Sequence, residues 1–213
     1  MENRTQEITY SKNPKIKIGI IPGHFATNHS HVNYYVDLNK LKRKYKNAKE
    51  TAQVLAAIYD STHIDTIVCL EGTQMLGAFL AEELSTGSNR SLNYGNDINV
   101  ITPEMDSNNQ MIFRDDSQSM IWGKHVLLLI SSASTGWTIM RCIDCLKYYN
   151  GELVGTAALF SAITEVNGIP VHSLFSPADF PGYESHSPAE CPMCIAKQKV
   201  DALINAYGYS KIG

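Results

Sequence analysis

The stretch Val126–Thr138, V-L-L-L-I-S-S-A-S-T-G-W-T, carries the clearest structural pattern in this 213-residue chain. Its first five residues, Val126–Ile130, have the length and branching of a buried parallel strand. Small hydroxyl residues and a glycine follow, and apolar residues then recur at helical spacing from Trp137 to Tyr149. The sequence therefore predicts a strand, a turn over Ser131–Gly136 and a helix.

The predicted turn is suited to an anion. A Ser/Thr/Gly turn that leads into a helix presents backbone N–H groups and hydroxyls, and the helix dipole adds to the attraction. The anion that we expect to bind at this turn is phosphate. The candidate phosphate-binding residues are Ser132, Ala133, Ser134, Thr135, Gly136, Trp137 and Thr138. The alternative is an ordinary turn between strand and helix, capped by Ser134 or Thr135.

Composition excludes several classes of protein. The chain is 44% hydrophobic and 18% charged, and its formal charge is −3, which predicts one globular domain over residues 1–213. We expect no nucleic-acid and no membrane partner, because the charge is balanced and no apolar run reaches transmembrane length. The polar beginning of the sequence indicates a cytoplasmic protein, in which the five cysteines are thiols or metal ligands rather than disulfides.

Strand and helix patterns alternate along the chain. Strands are predicted at 64–70, 97–101, 151–161 and 171–175, and helices at 40–59, 75–84 and 195–206. This alternation predicts an α/β fold, a parallel sheet flanked by helices, with sites along the carboxyl edge of the sheet. The basic start of the 40–59 helix is interpreted as a solvated face rather than an anion site.

The stretch Val126–Thr138 resembles the phosphoribosyl-pyrophosphate (PRPP) loop of type I phosphoribosyltransferases. The S-T-G-W-T part, residues 134–138, matches the positions that hold the 5′-phosphate in that family. The family has two acidic residues where this chain has Ile130 and Ser131, and those acids hold the ribose hydroxyls and, through water, Mg²⁺. The resemblance therefore implies a phosphate cradle without the ribose–metal clamp.

Residues 17–37 resemble the entrance of the orotate-type enzymes, where a small hood covers the site and touches the base. Phe25, His31 and Tyr35 fall on that pattern and are the base or hood candidates. The resemblance implies that residues 1–38 and 176–213 contribute the hood and a C-terminal appendage. Without it, the histidines of this segment would be interpreted as part of a polar surface loop.

The same resemblance implies a pyrophosphate loop between the 64–70 strand and the next helix. Its candidates here are Glu71, Gly72 and Thr73, although Glu71 would repel an anion if it pointed inward. The family also has a mobile loop rich in Arg and Lys. Residues 102–119 of this chain contain Arg114 next to two aspartates instead, which indicates weak support for a leaving pyrophosphate.

Four cysteines form two C-x-x-C pairs, Cys142 with Cys145 and Cys191 with Cys194. Two such pairs are a recognisable zinc arrangement, because two intervening residues let both thiolates reach one tetrahedral ion. A second possibility is a zinc site made of Cys191, Cys194 and a nearby histidine such as His186. The third is two core thiols and a surface turn.

Two functions follow from the sequence. The first is an orotate phosphoribosyltransferase-like protein that binds PRPP, a nucleotide or another ribose 5-phosphate ligand, with transferase activity doubtful because the acidic pair and the basic loop are missing. The alternative is an active phosphoribosyltransferase that joins PRPP to orotate or a related base with Mg²⁺ and releases pyrophosphate. The resemblance also implies a homodimer with a small-molecule ligand.

Overall fold

In the computed structural model, residues 2–106 and 110–212 are described, and their strands form two six-stranded sheets and one two-stranded sheet. The strands are β1 (Gln6–Thr9), β2 (Lys17–Ala26), β3 (His31–Asp37), β4 (Thr66–Cys69), β5 (Asn99–Ile101), β6 (Glu104–Met105), β7 (Met111–Ile112), β8 (His125–Ala133), β9 (Glu152–Ser161), β10 (Glu165–Val166), β11 (Ile169–Phe175), β12 (Ser185–His186), β13 (Ala202–Asn205) and β14 (Gly208–Lys211). The helices are α1 (Asn39–Arg43), α2 (Tyr45–Ile58), α3 (Gln74–Glu82), α4 (Asp115–Gln118), α5 (Trp137–Tyr148) and α6 (Pro192–Ile195). Within the described residues, no helix combines the length and the apolar character needed to cross a membrane.

The first sheet has the order β10-β11-β9-β8-β4-β5 and carries the predicted parallel core. Strands β11, β9, β8, β4 and β5 run parallel, and β10 pairs with β11 in the antiparallel direction at one edge. The prediction of a parallel sheet flanked by helices is therefore confirmed.

Strand β8 is buried on both of its faces. Leu127 and Leu129 pack in one apolar cluster with α2 and α3, whereas Val126, Leu128 and Ile130 pack in a second cluster with α5. A strand covered on both sides needs apolar residues at every position, which is why its sequence shows an unbroken run rather than an alternation. Full burial of each such side chain is worth roughly 1.5–3 kcal/mol.

The second sheet, which we call the hood, has the order β12-β3-β2-β13-β14, with β1 paired to β2. Its strands come from residues 6–37 and 185–211. Strand β13 runs parallel to β2, with Ala202 opposite Phe25. That residues 1–213 form a single domain stays a prediction.

The prediction of a helix at residues 195–206 is wrong. Helix α6 ends at Ile195, and the chain continues into the hairpin of β13 and β14. Ala202 and Ile204 pack in the apolar core of the hood, whereas Leu203 between them is exposed. This alternation has the period of a strand, and pairing with β2 outweighs the helix propensity of the segment.

The predicted helix at 40–59 is broken at Lys44, which has an extended backbone between α1 and α2. The basic residues at the start of this segment are exposed, as expected for a solvated face, except for Lys42, which is buried. Its ammonium donates to the carbonyl oxygens of Glu71 at 2.9 Å and Ala206 at 2.6 Å. Lys42 thus links the parallel sheet to the hood, and its burial lowers its pKa to about 8.

Replacing Lys42 with Met tests this link. An unfolded lysine keeps its proton up to a pKa near 10.5, whereas buried Lys42 releases it above about 8. Between these values the unfolded chain binds more protons, so this lysine makes the free energy of unfolding rise with pH. We expect the difference in that free energy, wild type minus Lys42→Met, to grow by up to about 3 kcal/mol across this window.

Urea denaturation at a series of pH values measures this difference. Ionisation of cysteines and tyrosines cancels from it, because both proteins carry the same ones. The matched control is Lys40→Met, since Lys40 is exposed on the same helix. The control difference should stay flat with pH, and an equally flat Lys42→Met difference would show that the ammonium is not desolvated.

Candidate functional site

A cavity of about 290 Å³ lies between the hood and the carboxyl edge of the parallel sheet. Its walls include the hood loop 27–30 and residues 132–139, which run from the end of β8 into the first turn of α5. Asn205 and Ala206 at the end of β13 also line it. The predicted phosphate residues are thus all in one wall, and another wall is built from hood segments that are far apart in the chain, within residues 27–38 and 204–206.

The turn between β8 and α5 depends on Gly136. Its φ is +80°, and a Cβ atom there would lie 2.8 Å from Cγ2 of Val166 and 3.0 Å from Cδ1 of Ile163. Only glycine adopts this left-handed conformation without strain and also fits the space. Helix α5 begins at the next residue, Trp137, so the turn ends directly at the positive end of the helix dipole.

The backbone amides of residues 134–139 donate to no acceptor among the described residues. Met140 is the first residue after the turn whose amide is bonded to a backbone carbonyl, that of Gly136, at 2.9 Å. All six residues line the cavity. Because amides at a helix start that have no partner in the protein attract an anion, this wall is suited to a phosphate group.

Side chains on the hood reach across to the same turn. The hydroxyls of Ser134 and Tyr183 lie 3.3 Å apart. The rings of His29 and Trp137 stack with their centroids 6.4 Å apart and an angle of 26° between them. Burial raises the pKa of Tyr183, so its hydroxyl stays neutral and is able to donate. Sequence reasoning missed Tyr183, which lies 49 residues from Ser134 in the chain.

Glu71 does point inward, towards the end of β8. Its Oε2 accepts hydrogen bonds from the amides of Ser131 at 3.0 Å and Ser132 at 3.1 Å. Burial raises the pKa of this carboxyl group, while the two amides and the ammonium of Lys42 oppose that rise. A carboxylate from the neighbouring strand therefore lies beside the positions where β8 itself has Ile130 and Ser131.

The other two pyrophosphate-loop candidates do not line the cavity. Gly72 has a φ of +76° in the turn before α3. Thr73 is buried, and its hydroxyl lies 2.7 Å from the carbonyl oxygen of Leu70 and 3.0 Å from that of Leu129. The Thr73 hydroxyl thus joins β4 to β8, and only Glu71 of the three candidates lines the cavity.

Among the hood candidates, only Tyr35 lines the cavity. Phe25 packs in the core of the hood, with its ring centroid 6.2 Å from that of Tyr35. His31 lies beside His24, where their ring nitrogens are 3.0 Å apart. Phe25 and His31 thus belong to the hood but do not line the cavity. The loop 27–30 between β2 and β3 supplies the hood wall instead.

Arg141 is the one Lys or Arg residue in the described lining of the cavity. Its guanidinium is exposed and has no hydrogen-bond or ion-pair partner among the described residues. In the predicted cation-poor loop, Arg114 forms an ion pair with Glu104 beside the short sheet of β6 and β7. Residues 107–109 of that loop lie outside the described residues.

The structure does not bring the two cysteine pairs together. Cys142 lies on the buried face of α5, and the Sγ atom of Cys145 contacts the carbonyl oxygen of Met111 at 3.3 Å. Burial raises the pKa of both thiols, that of Cys145 to about 11. The expected four-cysteine zinc set is therefore not assembled, because one pair packs against the parallel sheet and the other lies in the hood.

Cys191 and Cys194 lie beside His24 and His31. His186, the histidine considered in the sequence, forms an ion pair with Glu184 at 3.0 Å instead. Sequence reasoning missed His24 because 167 residues separate it from Cys191, and the hood pairing that joins them is not visible as a local pattern.

Solved structures with the same fold identify the architecture, although no protein-family model and no curated protein matches the sequence significantly. Orotate phosphoribosyltransferase of Mycobacterium tuberculosis H37Rv aligns with a TM-score of 0.52 and 16% identity, over 69% of this chain and 80% of that chain. A phosphoribosyltransferase from Corynebacterium diphtheriae aligns with a TM-score of 0.52 and 15% identity, over 74% and 90%. UMP synthase of Leishmania donovani aligns with a TM-score of 0.55 and 16% identity, over 74% of this chain and 33% of that chain. The chain has the type I phosphoribosyltransferase fold.

Proposed function

We propose that this chain is an orotate phosphoribosyltransferase-like protein that binds a ligand carrying ribose 5-phosphate, such as PRPP or a nucleotide. The observation that carries the proposal is the row of six amides at residues 134–139 with no acceptor among the described residues. Two solved structures of the Mycobacterium tuberculosis enzyme, whose fold this chain shares, are complexes with inorganic phosphate and with PRPP.

The phosphate end of the ligand is supported by three features. The amides of the turn lie at the positive end of the α5 dipole, which favours a bound dianion. Thr135 and Thr138, which carry hydroxyl groups, line the same wall. The unpaired guanidinium of Arg141, which lines the cavity, supplies a charge that is able to form bidentate bonds to phosphate.

The ribose end is supported by Glu71. Its carboxylate is held at Ser131 and Ser132, two to three residues before the phosphate turn, or roughly 7–10 Å along a strand. Its Oε1 has no hydrogen-bond partner among the described residues and is available to sugar hydroxyls. Glu71 thus supplies one carboxylate near the place where the resembled family has two.

Magnesium would depend on the same side chain. Glu71 is the one carboxylate in the described lining of the cavity, so the other ligands of the ion would be water and the oxygens of the bound phosphates. This arrangement suits Mg²⁺, which commonly uses one or two carboxylates together with substrate phosphates.

Transfer of the ribosyl group is less well supported than binding. Arg114 is paired with Glu104, and Lys42 is engaged by two carbonyl oxygens, so neither faces a leaving pyrophosphate. Losing even one preorganised contact to a developing charge typically costs ~10²–10³-fold in rate. We therefore propose a binding or regulatory role rather than efficient catalysis. The homodimer and the cytoplasmic location stay predictions.

Thr135→Asp tests the phosphate site. The new carboxylate would lie at the positive end of α5, where it stabilises a helix by roughly 0.3–1 kcal/mol, but it would repel a bound phosphate. We expect the dissociation constant of ribose 5-phosphate to rise at least ~10-fold, since like charges in a partly buried site repel by several kcal/mol. The Tm should stay unchanged or rise slightly.

Calorimetric titration measures the affinity, and Trp137 gives a local readout. Trp122 and Trp137 are the two tryptophans of the chain, so a Trp122→Phe background leaves Trp137 as the single tryptophan, whose fluorescence is excited selectively above the absorption of tyrosine. The matched control is Thr135→Asn, which has a similar size and no charge and should bind nearly as wild type does. Equal binding by Thr135→Asp and wild type would disprove the phosphate assignment.

Glu71→Gln tests the ribose assignment with two probes. Removing the negative charge should leave inorganic phosphate bound as tightly as before or more tightly. Ribose 5-phosphate loses a charged acceptor for its hydroxyls, a contact worth about 1.5–3 kcal/mol. We expect the ratio of the two affinities to shift against ribose 5-phosphate by ~10-fold, measured by calorimetry. An unchanged ratio would separate Glu71 from the sugar.

A turnover assay separates the two functions. Purified protein is mixed with PRPP, Mg²⁺ and orotate, and the loss of orotate absorbance is followed, with Thr135→Asp as the background control. We expect no turnover in the range of typical enzymes, ~1–10³ s⁻¹. Turnover within that range that Thr135→Asp abolishes would establish the alternative function, an active phosphoribosyltransferase.

A further inference from the structure

We propose that His24, His31, Cys191 and Cys194 form a structural zinc site that joins distant parts of the chain within the hood. Their ligand atoms all lie within 4.8 Å of one another. His24 belongs to β2, His31 begins β3, and the two cysteines flank the start of α6. Nothing in the proposed phosphate or ribose contacts uses any of these four residues.

The distances fit a tetrahedral ion. Nε2 of His24 lies 3.0 Å from Nδ1 of His31 and 3.6 Å from each of the two sulfur atoms. Sγ of Cys194 lies 3.2 Å from Nδ1 of His31. Zinc bonds of ~2.0–2.1 Å to nitrogen and ~2.3 Å to sulfur place neighbouring ligand atoms about 3.3–3.8 Å apart in a tetrahedron. Small side-chain shifts therefore bring the four atoms to ideal spacing.

The orientation of His24 is already that of a metal ligand. Its Nδ1 lies 3.0 Å from the carbonyl oxygen of Gln198, to which it donates. That bond selects the tautomer whose Nε2 lone pair points at His31 and the two cysteines. Metal-binding histidines characteristically use their second nitrogen in this way. The backbone of the same residue is held too, because its amide donates to Asp201 at 2.9 Å.

The ligand set indicates zinc and a structural role. Two thiolates and two imidazoles in a tetrahedral arrangement are typical of structural zinc, whereas magnesium and calcium prefer oxygen ligands. His24 and Cys191 are completely buried, and the protein supplies all four ligands, which leaves no open position for a substrate. The Nε2 atom of buried His24 thus faces another imidazole and two sulfur atoms, which are the ligand types that zinc prefers.

The site connects to the cavity through the chain. His24 and His31 lie on either side of the loop 27–30, which lines the cavity. Residues 197–201 lead from the cysteines to β13, whose last residue Asn205 lines the cavity together with Ala206. A metal ion here therefore fixes two parts of the hood wall at once.

Metal analysis of the purified full chain tests the site. We expect about one equivalent of zinc per chain and, after exchange with Co²⁺, the thiolate-to-cobalt charge-transfer and d–d absorption of a tetrahedral complex. Removing the zinc with a strong chelator should lower the Tm by several degrees, because binding to the folded state alone stabilises it. The cobalt spectrum reports ligands even if a variant is poorly folded.

Matched variants assign the ligands. Cys194→Ser and His31→Gln should lose at least half of the bound zinc, and Cys194→Ser should also weaken the charge-transfer band. Cys145→Ser and His186→Gln are the controls, because each lies in or near a similar motif but outside the cluster. Both controls should retain the full equivalent of zinc.

Three results would overturn the proposal. They are metal-free wild-type protein that gives no tetrahedral cobalt spectrum, a different metal in the purified chain, and equal zinc loss in the controls and the ligand variants. The measurement uses no ribose phosphate, so it fails or succeeds independently of the phosphate-binding proposal.

Discussion

The burial of β8 on both faces is the constraint on which the rest of the molecule depends. Five successive apolar residues need cover from α2 and α3 on one side and from α5 on the other. That requirement makes the chain turn sharply after Ala133 and return as α5, and the turn needs a left-handed glycine at residue 136. The open amides of the cavity wall are thus a by-product of packing a strand in the middle of the sheet.

The cavity exists because a second sheet covers this edge. Lys42 holds the two sheets together through the carbonyl oxygens of Glu71 and Ala206, one from each side. The same turn that provides the Glu71 carbonyl also directs the Glu71 carboxylate to the end of β8. One short segment therefore sets both the position of the hood and the charge inside the cavity.

The sequence was most informative where the pattern was local. The run Val126–Ile130 and the S-T-G-W-T turn predicted the parallel sheet and the start of α5, because each depends on neighbours in the chain. The segment after Ile195 was predicted as a helix and is a hairpin, since its pairing partner β2 is far away in sequence. Long-range contacts also determine the surroundings of three residues of the two candidate sites. Tyr183 contacts Ser134, 49 positions away, and Glu71 accepts from amides 60 and 61 positions away. His24 donates to the carbonyl oxygen of Gln198, 174 positions away.

The positions of the hood strands along the chain have a consequence for synthesis on the ribosome. Strands β2 and β3 emerge early, but β13, which covers the edge of β2, follows more than 170 residues after His24. The strands of the parallel sheet all emerge between these two events. Until residues 185–205 leave the exit tunnel, β3 lacks its partner β12 and the end of β2 lacks its partner β13. These unpaired edges invite pairing with other chains. The cavity is consequently completed only after the whole parallel sheet has been synthesised.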